Sequence, residues 1–538
     1  MQIKDSWKNK LHILDKRLNA FSQGYRQNLA ILGDDNEEVA YLLDNYFKSN
    51  KLPDIIYIRT SAKHIDRKGF FKGIVFSILS EYIKKEETLD NLLKFNENLL
   101  PLSVEFAKDI LKRSSLPSFL DVLEFVNKFI NESSRKCVFI IENFLKLRNL
   151  FPNFHQDFSK FIILQNNCML ILSDINSRDC EKALYSDLNF LFGNFEKICV
   201  DENNFLNSYV SFRNSFSDST SSPFLISFFA NILGSNAIYH DLFKQVLFKH
   251  FSADNEEGSI IRVLEETIYV KETYFFQRFM KKVNSIEDNF RNPAALIRIL
   301  ISISEGYIRE GELASLRAFD AKSLRAKLQK LCELNYVENL GAIYKIKDPL
   351  FSFWLSHVFK FMFTVPIFDS ERCGVLFRKK AQETISLFKE DFYKEKIKRV
   401  LELFGSFKND VLWFGKDRYK LPLIEKSRLV SYPQTRMHFL IGEGREIVFV
   451  GIKEGHAEDT DMFDFIEKGS AIKGKNVKKI FISLDLFSSS AKLIAKDNKF
   501  IAWDINEVNN LCRAYNKPIV SLSETIERAF NNENSGHL

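Results

Sequence analysis

Leu29-Ala30-Ile31-Leu32-Gly33, then Asp34-Asp35-Asn36-Glu37-Glu38, then the apolar-faced stretch Val39 to Phe47, is the run on which the fold turns. A short apolar run that ends in Gly and passes into an amphipathic segment reads as strand, turn and helix. The same rhythm continues outward. Asp54-Ile55-Ile56-Tyr57-Ile58-Arg59 reads as a second buried strand, and Phe70–Ile83, Val104–Leu111 and Phe119–Ile130 as helices. Lys136-Cys137-Val138-Phe139-Ile140-Ile141-Glu142-Asn143-Phe144 reads as a strand that ends in an acid, and Cys168-Met169-Leu170-Ile171-Leu172-Ser173 as another strand. Apolar runs of this length alternating with helices predict a parallel sheet covered on both faces. The first 205 residues are therefore expected to form an α/β domain.

Beyond it the pattern predicts a helical segment over 206–290 and a three-helix-and-hairpin module over 291–368. A helical connector over 369–404, a small α/β domain over 405–530 and a polar tail at 531–538 complete the chain. In the module, Leu296, Ile299, Leu300 and Ile303 give Ala294–Ser304 an apolar face, and Glu310–Leu316 is a short second helix. Asp320 is placed to cap the third helix, Ala321–Leu334, whose buried stripe is Leu324, Leu328 and Leu331. Lys322, Arg325 and Gln329 fall on its opposite face, where a recognition helix would meet a major groove. Asn335 ends the helix, and Gly341 turns a hairpin carrying Lys345 and Lys347. Residues 291–360 hold 11 Lys and Arg against 7 Asp and Glu, an excess that permits contact with double-stranded DNA without demanding it.

The 538 residues exceed one compact domain, and Gly and Pro are sparse at 20 and 11, which favours long regular elements. A net charge of +6 is slight for so large a surface. The seven cysteines form no C-x-x-C pair, and the nine histidines show no spacing that suits a metal. Reduced thiols and a cytoplasmic location are expected. The charged start Met1-Gln2-Ile3-Lys4-Asp5 has no apolar signal core. The stretch Phe351–Phe368 carries His357, Lys360 and Pro366 and is read as a buried helix rather than a membrane span.

A phosphate-binding loop needs G-x-x-x-x-G-K-[ST] so that backbone N–H groups, a Lys and a hydroxyl surround phosphate and magnesium. Counting from Gly33, Glu38, Val39 and Ala40 stand at the second Gly, Lys and Ser/Thr positions. The acids at 34, 35, 37 and 38 suit a helix N-terminus and repel phosphate. The strand ending in Glu142 keeps an acid that would order magnesium, but Asn143 stands where a second carboxylate would polarise water.

Tyr344-Lys345-Ile346-Lys347-Asp348-Pro349-Leu350-Phe351-Ser352-Phe353-Trp354 resembles the hallmark at the end of the winged helix in archaeal-type AAA+/STAND ATPases. In the same resemblance Gly33 falls on the P-loop, Glu142-Asn143-Phe144 on the acidic motif, and Leu170–Ser173 on the next sheet strand. Ser221-Ser222-Pro223 falls on the first lid helix. It implies a P-loop NTPase-like parallel sheet, a helical lid, a winged helix, and a C-terminal restriction-endonuclease-like PD-(D/E)xK domain. It also implies a site for ATP with magnesium near Gly33 and Glu142. The departures at the loop and at Asn143 argue against hydrolysis. In the C-terminal domain Lys453 holds the nuclease Lys position, whereas Gly451 stands at the Glu position. Glu454, Glu458, Asp459 and Asp461 read as a solvated loop or helix start.

No residue is thus assigned a catalytic role. The leading expectation is a degenerate ATPase-family protein that contacts DNA through Lys322, Arg325, Gln329, Lys345 and Lys347. The alternatives are an ATP-binding switch, and a scaffold that binds a protein partner or further copies of itself.

Overall fold

A computed structural model describes residues 5–33, 36–63, 65–152, 154–175, 180, 182–184, 195–200, 209, 212, 222–234, 236–252, 255–290, 292–316, 321–364, 370–414, 417–432, 437–472 and 477–520. The chain divides into two compact units, one of Met1–Asn207 with Ser235–Tyr239, the other of Ser208–Gly234 with His240–Leu538.

The first unit is built on α1 (Asp5–Ser22), β1 (Asn28–Gly33), α2 (Asn36–Ser49), β2 (Ile55–Ser61), α3 (Arg67–Ile83), α4 (Leu89–Asn96), α5 (Pro101–Lys112), α6 (Phe119–Ser133), β3 (Lys136–Glu142), α7 (Leu147–Leu150), α8 (Phe154–Leu164), β4 (Cys168–Ile175) and β5 (Phe195–Cys199). The strands pair in the order β2-β3-β4-β1-β5, and every pairing is parallel. Every residue of β1 is buried, which is why its sequence is apolar throughout rather than alternating. Alternate side chains enter different cores. Leu29 and Ile31 join Tyr57, Val138, Ile140 and Ile171 beneath α1 and α2. Ala30 and Leu32 join Ile58, Phe139, Ile141 and Leu170 beneath α3, α6 and α8. The expected strands and helices are present with ends moved by a few residues. Ser118 and Asp121 form a reciprocal capping box that starts α6.

The second unit begins with α9 (Pro223–Leu233), α10 (Ala237–His250, whose first residues belong to the first unit), α11 (Glu256–Leu264) and α12 (Tyr274–Asn289). Then come α13 (Pro293–Ser304), α14 (Glu310–Ser315), α15 (Ala321–Glu333), and the antiparallel pair β6 (Val337–Asn339) and β7 (Tyr344–Ile346). Asn335 and Gly341 both have positive φ, at 64° and 102°, as helix end and hairpin turn require. The Asp348–Trp354 motif has a physical content. Asp348 caps α16 (Pro349–Trp354) by accepting from Phe351 N, and Pro349 occupies the first helical turn, where no N–H is needed. Trp354 is buried against Phe276, Phe279, Phe351 and Phe359. A π-helical turn at Leu355–Phe359 continues α16 into α17 (Lys360–Thr364). Of the stretch expected to be a buried helix, Phe351–Phe359 is buried but for the half-buried Ser352, no residue of Lys360–Thr364 is, and 365–368 lie outside the described residues. Among the described residues no helix is long and apolar enough to cross a membrane.

After α18 (Ser370–Tyr393) and α19 (Lys396–Phe404) come the hairpin β8 (Val411–Phe414) and β9 (Asp417–Lys420) and a second five-stranded sheet. Its strands are β10 (Lys426–Ser431), β11 (Met437–Glu443), β12 (Ile447–Lys453), β13 (Val477–Ser483) and β14 (Ile501–Trp503), antiparallel from β10 to β12 and parallel from there to β14. Helices α20 (Asp459–Ser470), α21 (Ser489–Asp497) and α22 (Ile505–Ala514) alternate with the later strands. The protein is thus an α/β chain with a five-stranded parallel sheet, helices and a further sheet domain.

Candidate functional site

The carboxyl ends of parallel strands are where an open α/β sheet gathers its functional groups. Here Gly33 ends β1, and Glu142 ends β3, with β4 between them. Asp34 and Asp35 lie outside the described residues. The groups that surround this edge are joined to one another. Asn143 takes the left-handed conformation, φ 54°, which Asn tolerates better than most residues. Its amide oxygen accepts from Asn36 Nδ2 at 2.6 Å, and its own Nδ2 donates to Ser61 Oγ at 3.1 Å. A carboxylate at this position would lose that second donor. Asp174, buried at the end of β4, accepts from the Leu145 and Ile175 N–H groups, both at 2.8 Å. Burial pushes its carboxyl above the usual range.

Glu142 is held by Arg59 from the neighbouring strand. The Arg59 guanidinium pairs with Glu142 through Nε and with Asp44 through Nη1, and donates to the Ala40 carbonyl at 3.2 Å. One planar cation therefore ties the ends of β2 and β3 to α2. Glu37 and Glu38 occupy the first turn of α2, and the buried Glu38 accepts from Asn236 Nδ2 at 3.3 Å. For Mg-ATP this donor set does not fit. The phosphates would meet carboxylates at the helix start with no Lys at position 39, and the acid suited to magnesium already faces a guanidinium.

In the three-helix module, Arg325 and Gln329 stand exposed on α15 as expected. Arg325 makes only a 3.3 Å pair with Glu310, with 77% of its side chain accessible, and Gln329 bonds Glu333 at 3.2 Å. Lys322 lies in the first turn of the same helix; its side chain, like Asp320, lies outside the described residues. Lys347 donates to Asn335 Oδ1 at 2.8 Å and is half-buried. Lys345 departs from expectation. Its ammonium is turned inward onto the Arg513 carbonyl at the end of α22, and burial pushes its pKa down to about 7. The reason is the packing of the hairpin, not its local sequence. Gly341 bridges Leu412 of β8, Ala342 N donates to Val411 O at 3.0 Å, and Trp413 N donates to Leu340 O at 2.9 Å.

In the second sheet Lys453 does end β12, paired with Asp461 at 2.7 Å. At Gly451 a Cβ would stand 2.6 Å from the Phe465 ring, so the nuclease Glu position is filled by a core aromatic. Glu458 and Asp461 form the capping box of α20, and Asp459 accepts from Ser490 Oγ at 2.5 Å, so this acidic stretch is a helix start. Among the described residues no group of three or more His, Cys, Asp or Glu could hold a metal.

Sequence reading missed Arg59, Arg309, Asp410 and Tyr515. A charge closing an otherwise apolar strand was the available signal for Arg59; the other three meet only through tertiary packing.

No family model and no curated protein matches the chain. Among solved structures, it is similar to a Walker-type ATPase of Pyrococcus abyssi, with 16% identity over 66% of this chain and 96% of that one and a TM-score of 0.47. It is similar to the ORC2 protein of Aeropyrum pernix in its ADPNP–ADP complexes, with 10% identity over 71% and 95% and a TM-score of 0.40. The ORC1 protein of Aeropyrum pernix in complex with DNA follows, with 12% identity over 66% and 93% and a TM-score of 0.33. By its own strand order, with helices on both faces, the first unit is an open parallel α/β domain.

Proposed function

We propose that this chain is a degenerate member of the AAA+/STAND ATPases that no longer hydrolyses nucleotide and acts as a regulatory, DNA-associated protein. Its α13–α15 and β6–β7 form a winged helix, and its second sheet is a PD-(D/E)xK-like domain without a metal centre. The observation that carries the loss of hydrolysis is the Arg59 guanidinium seated on Glu142 and Asp44. An internal cation there competes with the metal that phosphoryl transfer requires. DNA contact is assigned to Lys322, Arg325 and Gln329 on the outer face of α15.

Titration calorimetry with Mg-ATP on the full chain tests the first half. No saturable heat is expected. Binding tighter than ~100 μM, about −5.5 kcal/mol, would overturn it in favour of the nucleotide-binding switch, with Gly33 and Glu142 as its site. Duplex binding followed against salt tests the second half, because phosphate contacts release counterions and give a steep slope. A flat response would leave the protein-contact scaffold as the better reading.

A further inference from the structure

The three-helix module is tied to the domain that follows it in three ways, two of them through its β6–β7 hairpin and one through the start of α14. The hairpin backbone forms the bridge from Gly341 to Leu412 with the flanking bonds at Ala342 and Trp413. Its Lys345 is turned onto the end of α22. At the base of the module, Arg309 N-caps α14 and reaches Asp410 with Nη2 at 2.8 Å and Nε at 3.0 Å, and the Ser406 carbonyl at 2.8 Å. Tyr515 donates to the same Asp410 oxygen at 2.6 Å, and Lys408 pairs with Glu312 at 2.9 Å. Asp410 is buried, and its carboxyl is nonetheless held below its usual range, with Arg309 and Tyr515 outweighing the effect of burial.

The opposite face of the module is open, since Arg325 and Gln329 on α15 are exposed. One half of a DNA-facing surface is thus presented while the other half is held down. The held half is also short of charge, because a lysine pushed to about 7 is only partly protonated near neutral pH. The groups around it are the Arg513 guanidinium and the Glu338 carboxylate.

We infer that the β6–β7 hairpin is a clasp, closed on the β8 strand and α22, that withholds Lys345 from a duplex until it opens. The inference rests on the DNA reading above. Two substitutions open the clasp from different sides. Asp410→Asn removes the charge that Arg309 meets. Gly341→Val places a Cβ where Val411 O lies 2.3 Å away, at a φ of +102° that a branched residue does not tolerate.

The test measures, on the full chain, hydrogen exchange of residues 336–347 together with affinity for a short labelled duplex at fixed salt. Exchange across 447–453 reports that the fold is intact. Both variants are expected to speed exchange in the hairpin and to bind duplex ~10-fold or more tightly, as removal of a closed majority state requires. Adding Arg325→Glu should abolish the gain. If the wild type binds duplex and the opened variants bind it no better, or if hairpin exchange does not change, the clasp is overturned and the DNA reading stands. If neither wild type nor opened variants bind duplex, the DNA reading itself falls.

Discussion

Arg59→Met removes the cation that joins β2, β3 and α2 and leaves the hydrocarbon stem in place. The loss is concentrated on Glu142, whose side chain is 15% exposed. Asp44, 53% exposed, regains water and contributes little. Breaking a fully buried pair costs about 3–5 kcal/mol because the remaining charge is stranded. Arg59 itself is 28% exposed, so solvent screens part of the pair and the cost falls to about 2–3 kcal/mol. With two compact units the chain is not expected to unfold in one step, so a single melting temperature is a poor readout. Hydrogen exchange resolved by segment is better suited. Amides of β2 and β3 that exchange through sub-global opening should speed up ~30- to 150-fold, while those of β12 and β13 should not. The double variant Arg59→Met with Glu142→Gln should recover part of the loss, since no stranded charge remains. Unchanged protection in β2 and β3 would refute the claim that the guanidinium is a structural cation. The single variant also frees Glu142, so any magnesium-dependent nucleotide binding it gained would identify what Arg59 excludes.

Three further outcomes are expected. Gly451→Glu, which supplies the acid that a nuclease pattern would need there, should destabilise the second sheet rather than create a metal site. Its Cβ meets Phe465 at 2.6 Å, and overpacking (about 1–3 kcal/mol) adds to burying an unpaired carboxylate; a stably folded variant with normal exchange in β12 would contradict this. His357 is buried, bonded to the Phe353 carbonyl and Thr384, and burial pushes its pKa down to about 3. A folded pKa below the unfolded value near 6.5 means its contribution to stability is full above pH ~6.5 and is lost as pH falls toward 3. Protection of α16 should therefore drop between pH 7 and pH 5, and His357→Gln should flatten that dependence; an equal slope in the variant would assign it to other groups. Lys322→Glu with Arg325→Glu should weaken duplex binding and lower the salt slope by about one unit for each phosphate no longer neutralised, and unchanged affinity would remove α15 from the interface.

The first sheet was legible because burial on both faces leaves a strand no polar alternation, and Leu29–Gly33, Val138–Glu142 and Cys168–Ser173 all have that form. The three-helix module was legible because its apolar stripes repeat at helical spacing, Asn335 marks the end of its third helix and Gly341 the turn of its hairpin. What stayed hidden depends on partners distant in the chain. Lys345 in isolation reads as a solvent-facing hairpin lysine; only the arrival of Arg513, 168 residues later, turns it inward. Strand β10 and the β8–β9 hairpin were missed for a related reason. Strands β9 and β10 carry exposed polar residues, and their pairing rather than their composition makes them strands, whereas β8 is apolar but only four residues long.

The two sites with enzyme-like residue patterns share one physical solution. Glu142 and Lys453 are the charged residues that end their strands, and each is partly buried. A partly buried charge with no metal or neutralising neighbour must be paired, change its protonation state or be exposed. Here each meets an opposite charge from its own domain: Arg59 from the adjacent strand, and Asp461 from the following helix. Neither partner belongs to the catalytic pattern in which Glu142 or Lys453 was read. Such pairs stabilise the strand ends only as long as both members remain. Removing Arg59 or Asp461 should therefore harm the protein more than removing Glu142 or Lys453 together with its partner. That ordering is the reverse of a working enzyme's, in which the acid and the lysine are the residues that activity cannot lose.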